Sequence, residues 1–94
     1  MRHFASSFGS VELTDERLRH IITFHPEVKL YVKFFKDTLS KSDTVRQSNT
    51  DPQVKIYYKS LRRQSKFLAI VVKTNHRNFI LTAYITTKIQ HKPT

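Results

Sequence analysis

Five histidines stand at positions 3, 20, 25, 76 and 91, and an imidazole is the side chain best suited to moving protons near neutral pH. His3 and His91 fall near the ends of the chain and His76 in a turn-forming stretch, so His20 and His25 are the two expected to be held rigidly. Glu27 is the carboxylate nearest to them and could serve as a base, although a first-turn carboxylate also suits the helix dipole alone. The spacing of His20 and His25 does not place both on one helical face. No neighbouring carboxylate completes a zinc pattern such as HExxH, so no metal site is expected. Arg46 stands alone in a polar stretch, where a guanidinium can grip a phosphate through two parallel hydrogen bonds. Tyr57 and Tyr58 interleave with Lys55 and Lys59, a mixture able to stack bases and hold phosphates. Arg62 and Arg63 sit in a turn, where a basic patch for an RNA backbone is easily built and a solvated loop explains them equally well.

The chain carries no nucleophile elbow and no Ser–His–Asp or Cys–His set. What remains is His, Arg, Lys, Tyr and Thr, which can move protons and neutralise a phosphate without metal or cofactor. That inventory suits RNA cleavage through the neighbouring 2′-OH. A base removes that proton, cations stabilise the charged phosphorane, and an acid protonates the leaving 5′-oxygen.

The composition points the same way. Seventeen Lys and Arg against seven Asp and Glu give a net charge of +10 on 94 residues, a field that concentrates polyanions. Nucleic acid is the commonest partner for such a domain, with anionic membrane or an acidic protein behind it, and the side-chain inventory above makes RNA the expected one. Cysteine is absent, which rules out disulfides and thiolate zinc sites. The single glycine falls at position 9, so glycine-rich phosphate loops and dinucleotide folds are excluded. Apolar runs are far too short for a membrane span, and the N-terminal stretch lacks the apolar centre of a signal peptide. A cytoplasmic protein with no membrane partner is expected.

These side chains need a scaffold. Residues 1–13 read as an N-terminal arm or short edge strand. Thr14 or Asp15 then caps a first helix that stops before Pro26, with Leu18, Ile21 and Ile22 on its apolar stripe. Pro26 opens a second helix that buries Val28, Tyr31 or Val32, Phe35 and Leu39. A polar stretch follows, in which residues 43–48 could form a short strand bearing Arg46. Residues 49–53 turn, and 54–61 alternate as a half-buried strand with Val54, Ile56 and Tyr58 inward. Residues 62–65 turn again, and 66–74 are apolar on both faces, as a central strand should be. Residues 75–78 turn once more. The last strand, 79–87, places Phe79, Leu81, Ala83 and Ile85 on one face and Ile80, Thr82, Tyr84 and Thr86 on the other. The second face puts a ladder of hydroxyls on a rigid element. A polar tail occupies 89–94. The expected architecture is a single α+β domain: two N-terminal helices packed on an antiparallel β-meander of about four strands.

The segment His20–Val28, with its His25-Pro26-Glu27, and the later Thr82-Ala83-Tyr84 with Thr86 resemble the phage-associated nuclease-like domains of the barnase–EndoU–colicin–RelE superfamily. The resemblance spans roughly residues 14–88, through short motifs in matching order. It implies a RelE- or barnase-like fold and a metal-independent ribonuclease of toxin or phage-related type. The site it implies comprises His20 or His25, Arg46, Thr82 and Tyr84, and an acidic antitoxin or immunity protein is an implied partner. Lys55, Tyr58, Arg62 and Arg63 are the expected RNA-binding residues. The alternative is a basic RNA-binding or interaction module that does not cleave.

Overall fold

The computed structural model describes residues 1–61 and 65–89. The reading of Arg62 and Arg63 as RNA-binding, and that of the tail beyond residue 89, lie outside these residues. Two strands come first, β1 (Arg2–Ser6) and β2 (Gly9–Leu13), then helix α1 (Asp15–Phe24). A 3-10 segment, Pro26–Phe34, leads into a short helix α2 (Phe35–Ser40). Four strands follow: β3 (Thr44–Gln47), β4 (Val54–Leu61), β5 (Lys66–Thr74) and β6 (Asn78–Thr86).

The sheet corrects the expected architecture. It has six strands in the order β1-β2-β6-β5-β4-β3 and is mixed, because β2 runs parallel to β6. A four-stranded antiparallel meander under two helices does not describe it. Residues 1–13 are part of the sheet and form an antiparallel hairpin. Gly9 supplies its turn with φ of +109°, a conformation that costs other residues steric strain. Asn78 locks the turn to β6 by donating from Nδ2 to the Phe8 carbonyl at 3.2 Å. The parallel contact is short, Val11 with Asn78 and Glu12 with Phe79, so β6 lacks a β2 partner beyond Phe79.

The helical part is brief. The Thr14 hydroxyl accepts from the Arg17 N–H at 3.1 Å, and Asp15 and Glu16 lie in the first turn of α1, where the helix dipole favours acids. His25 ends α1 at φ −133°, ψ 70°, ahead of Pro26, because a residue before proline avoids the α region. The element after Pro26 is 3-10 rather than α through Phe34. Its threefold repeat stacks Tyr31 on Phe34, with ring centroids 6.1 Å apart.

One face of the sheet carries the main core. Val11, Leu13, Leu68, Ile70, Val72, Ile80 and Ala83 meet Ile21, Val28, Phe35 and Leu39, all buried. Tyr57 belongs to this side, not to water. It is fully buried, its hydroxyl donates to Ser6 Oγ at 3.3 Å, and its ring meets Phe8 edge-on. The hairpin therefore reaches β4, although three strands, β2, β6 and β5, lie between β1 and β4 in sheet order. A register shift between Val71 and Val72 leaves Leu81 as an extra residue in β6. Ile80, not Leu81, thus reaches the core with Ala83. The expected assignment of Ile80 to the hydroxyl face fails at this bulge.

Candidate functional site

Tyr84 lies on the face away from the main core, because its neighbour Ala83 is buried among the core residues. It belongs to a second, smaller cluster built on Ile56, Tyr58 and Ala69, against which Phe67, Val71, Tyr84 and Ile89 pack. The register explains why. Tyr84 pairs with Ala69, Ala69 with Tyr58, and Tyr58 with Thr44, one row running across β6, β5, β4 and β3. The small Ala69 side chain between the two tyrosines lets them lean together, and their hydroxyls are hydrogen-bonded. Burial, and then the adjoining Tyr58 by charge and hydrogen bond, pushes the Tyr84 phenol up to about 12. At neutral pH it is therefore a protonated hydrogen-bond donor.

His25 comes to this tyrosine from the corner between α1 and the 3-10 segment. The two ring centroids lie 6.1 Å apart, inclined at 42°. Glu27, two residues on, places Oε1 3.6 Å from His25 Nδ1. That contact engages Nδ1 and leaves Nε2 to exchange a proton with a ligand. Glu27 also borders a hollow of about 450 Å³ lined with Tyr31, Lys66, Ile85, Thr86 and Thr87. The hollow lies between the start of the 3-10 segment and the ends of β5 and β6 that meet there. It holds a cation, a carboxylate, a phenol and two hydroxyls, and Glu27 links it to the His25–Tyr84 contact.

The other expected site residues do not all join this group. His20 is exposed and stacks on Phe24 at 4.6 Å. It lines a separate hollow of about 670 Å³ with Thr14, Glu16, Arg17, Arg19 and Thr23. Thr82 shares the outer face with Tyr84, one row along, paired with Val71. Arg46 continues that row: Thr82, Val71 and Ile56 lead to Arg46 on β3. It is half-buried, and its Nε is enclosed without a hydrogen-bond partner. The expected RNA-binding set divides between the faces. Tyr58 lies on the outer face but only 1% exposed, so its ring is not offered to a base. Lys55 pairs with Val72 on the core side, and its ammonium sits 4.9 Å from the centre of the Phe8 ring.

Lys66, Tyr31 and Thr87 were not singled out by sequence reasoning. Lys66 opens an apolar strand and Tyr31 shares the apolar spacing of its segment with Val32, so neither carries a local signal. Glu27 had one, in His25-Pro26-Glu27. Among the described residues, no three His, Asp or Glu side chains come together as a metal-binding group. No helix among them is long and apolar enough to cross a membrane. Compared with known proteins, the chain matches no family model, no curated protein and no solved structure.

Proposed function

We propose that this protein is an endoribonuclease that cleaves RNA by internal attack of the 2′-OH and needs no metal for the reaction. The observation that carries the reading is the His25–Glu27 pair set against a neutral Tyr84, beside the hollow that contains Lys66. In this scheme His25 takes the 2′-OH proton, and Glu27 stabilises the imidazolium that forms. The 2′-oxygen bonds to phosphorus as the bond to the 5′-oxygen breaks. Lys66 offsets the charge on the phosphorane. Tyr84 protonates the leaving 5′-oxygen, whose conjugate acid is weaker than a phenol, and recovers a proton from solvent as His25 releases to solvent the one it took. The products are a 2′,3′-cyclic phosphate and a free 5′-OH. The motifs His25-Pro26-Glu27 and Thr82-Ala83-Tyr84 and the charge of +10 support the same reading.

The test is direct. Folded protein incubated with RNA in EDTA should release 2′,3′-cyclic ends, and His25→Ala and Tyr84→Phe should slow release without unfolding the domain. Intact RNA after incubation with and without EDTA would sink the proposal.

A second reading is favoured by the separation of His20 and Arg46 from the His25–Tyr84 contact. It is a basic module that binds RNA without cutting it, with steeply salt-dependent affinity and no product. In either form the positive charge also suits an acidic protein as a neutralising partner in the cytoplasm.

A further inference from the structure

The position of Arg46 is at odds with a role on the reacting phosphate. Tyr84, which packs on His25, is on β6, and Arg46 is on β3. Between them lie β5 and β4, so their backbones are three strand steps apart, roughly 14 Å at the usual spacing. Yet Arg46 is built like a group awaiting a ligand. Its register partner is Ile56, on the same outer face as the Tyr58–Tyr84 pair. Its Nε is sealed from solvent with nothing to donate to, and its guanidinium makes no ion pair or hydrogen bond with any described residue. The other outer-face cation on the neighbouring strands, Lys73, is already held by Asp51 at 2.7 Å. An unpaired, partly enclosed guanidinium is costly on its own, and an anion relieves that cost.

We infer that Arg46 is a remote phosphate subsite, and that the ligand is a single RNA strand laid across the outer face from β6 towards β3. The reacting phosphate sits at His25 and Tyr84, and Arg46 holds a phosphate further along the same strand. The track runs perpendicular to the strands, over the part-exposed Thr82 and Val71 and past the buried Ile56 to Arg46. Short ligands engage only the His25 end, and longer ones reach both. This inference rests on the RNA reading of the site, but not on cleavage.

The test uses a dinucleotide and an octanucleotide of RNA, labelled for binding by fluorescence anisotropy, with wild-type protein, Arg46→Met and Arg46→Lys. Methionine keeps much of the apolar stem and removes the charge. The expected result is that Arg46→Met weakens octanucleotide binding about tenfold and lowers its salt slope by about one. Dinucleotide affinity should stay within about twofold, since one lost long-range charge is well screened there. Arg46→Lys should restore the salt slope. If Arg46→Met is not folded, Arg46→Lys and the wild-type ratio of octanucleotide to dinucleotide affinity carry the test. Equal weakening of both ligands would overturn the inference by putting Arg46 on the reacting phosphate. No effect on either, or no gain in wild-type affinity with length, would overturn it as well. Length- and Arg46-dependent binding without any cleaved product would remove the catalytic proposal and leave the subsite standing.

Discussion

Tyr57 and Tyr58 are consecutive in β4, equally buried, and face opposite sides of the sheet. On the helix-covered side, Tyr57 is an anchor. Burial raises its phenol, its hydroxyl bonds Ser6, and its ring holds Phe8. On the outer side, Tyr58 works through another residue: it bonds Tyr84 across Ala69 and helps keep that phenol protonated beside His25. The contrast extends to the faces themselves. The inner face is a continuous apolar core from both the sheet and the helical segments, whereas the outer face is a small cluster rimmed by Arg46, Thr82 and Tyr84. The same strand alternation that buries one side for stability presents ionisable groups on the other.

That division can be broken most severely through the core. Ile70→Ala should cost about 2–5 kcal/mol in urea unfolding, while Thr82→Ala on the outer face of the neighbouring strand should cost less than about 1 kcal/mol. Similar losses at the two positions would erase the distinction between a structural and a working face. For the proposed cleavage, His25→Ala should lower the rate by about a hundredfold or more, and His20→Ala, remote from Tyr84, should leave it near wild type. A reversed order would move the site to the other hollow.

A smaller effect separates the two tyrosines. Tyr58→Phe should bring the Tyr84 phenol down from about 12 towards the ordinary tyrosine range, read by tyrosinate absorbance, while Tyr57→Phe leaves Tyr84 unmoved. The sign carries into stability. The folded phenol ionises at higher pH than the unfolded one, so its contribution is complete below about pH 10. It is lost as the pH rises towards 12. Tyr84→Phe should flatten that alkaline decline in a pH series of denaturation curves. The smallest change belongs to Asp51, whose carboxyl is held below its usual range first by the Lys73 hydrogen bond and then by the Gln53 N–H. Its contribution is present above the unfolded carboxylate range and fades as pH falls through the lowered folded value. Asp51→Asn should shift the melting temperature only slightly, and added salt should shrink the difference.

Much of the local structure is legible in the residue order alone. Thr14 before two acids starts α1, and Pro26 forces the corner at His25. Alternation in 54–61 and an apolar run on both faces in 66–74 mark β4 and β5, because such patterns are local. The excess of positive charge is likewise fixed by composition. An edge strand within residues 1–13 was one of the two readings open, but the hairpin and its parallel pairing with β6 were not legible, since that pairing links positions nearly seventy residues apart. Nor was the bulge at Leu81, which reverses the faces of β6 before Thr82. Only that three-dimensional register decides that His25 meets Tyr84, that Ala69 lets Tyr58 touch it, and that Arg46 stands three strands away. Each residue type was visible in the sequence, but its neighbours are set by non-local pairing and packing.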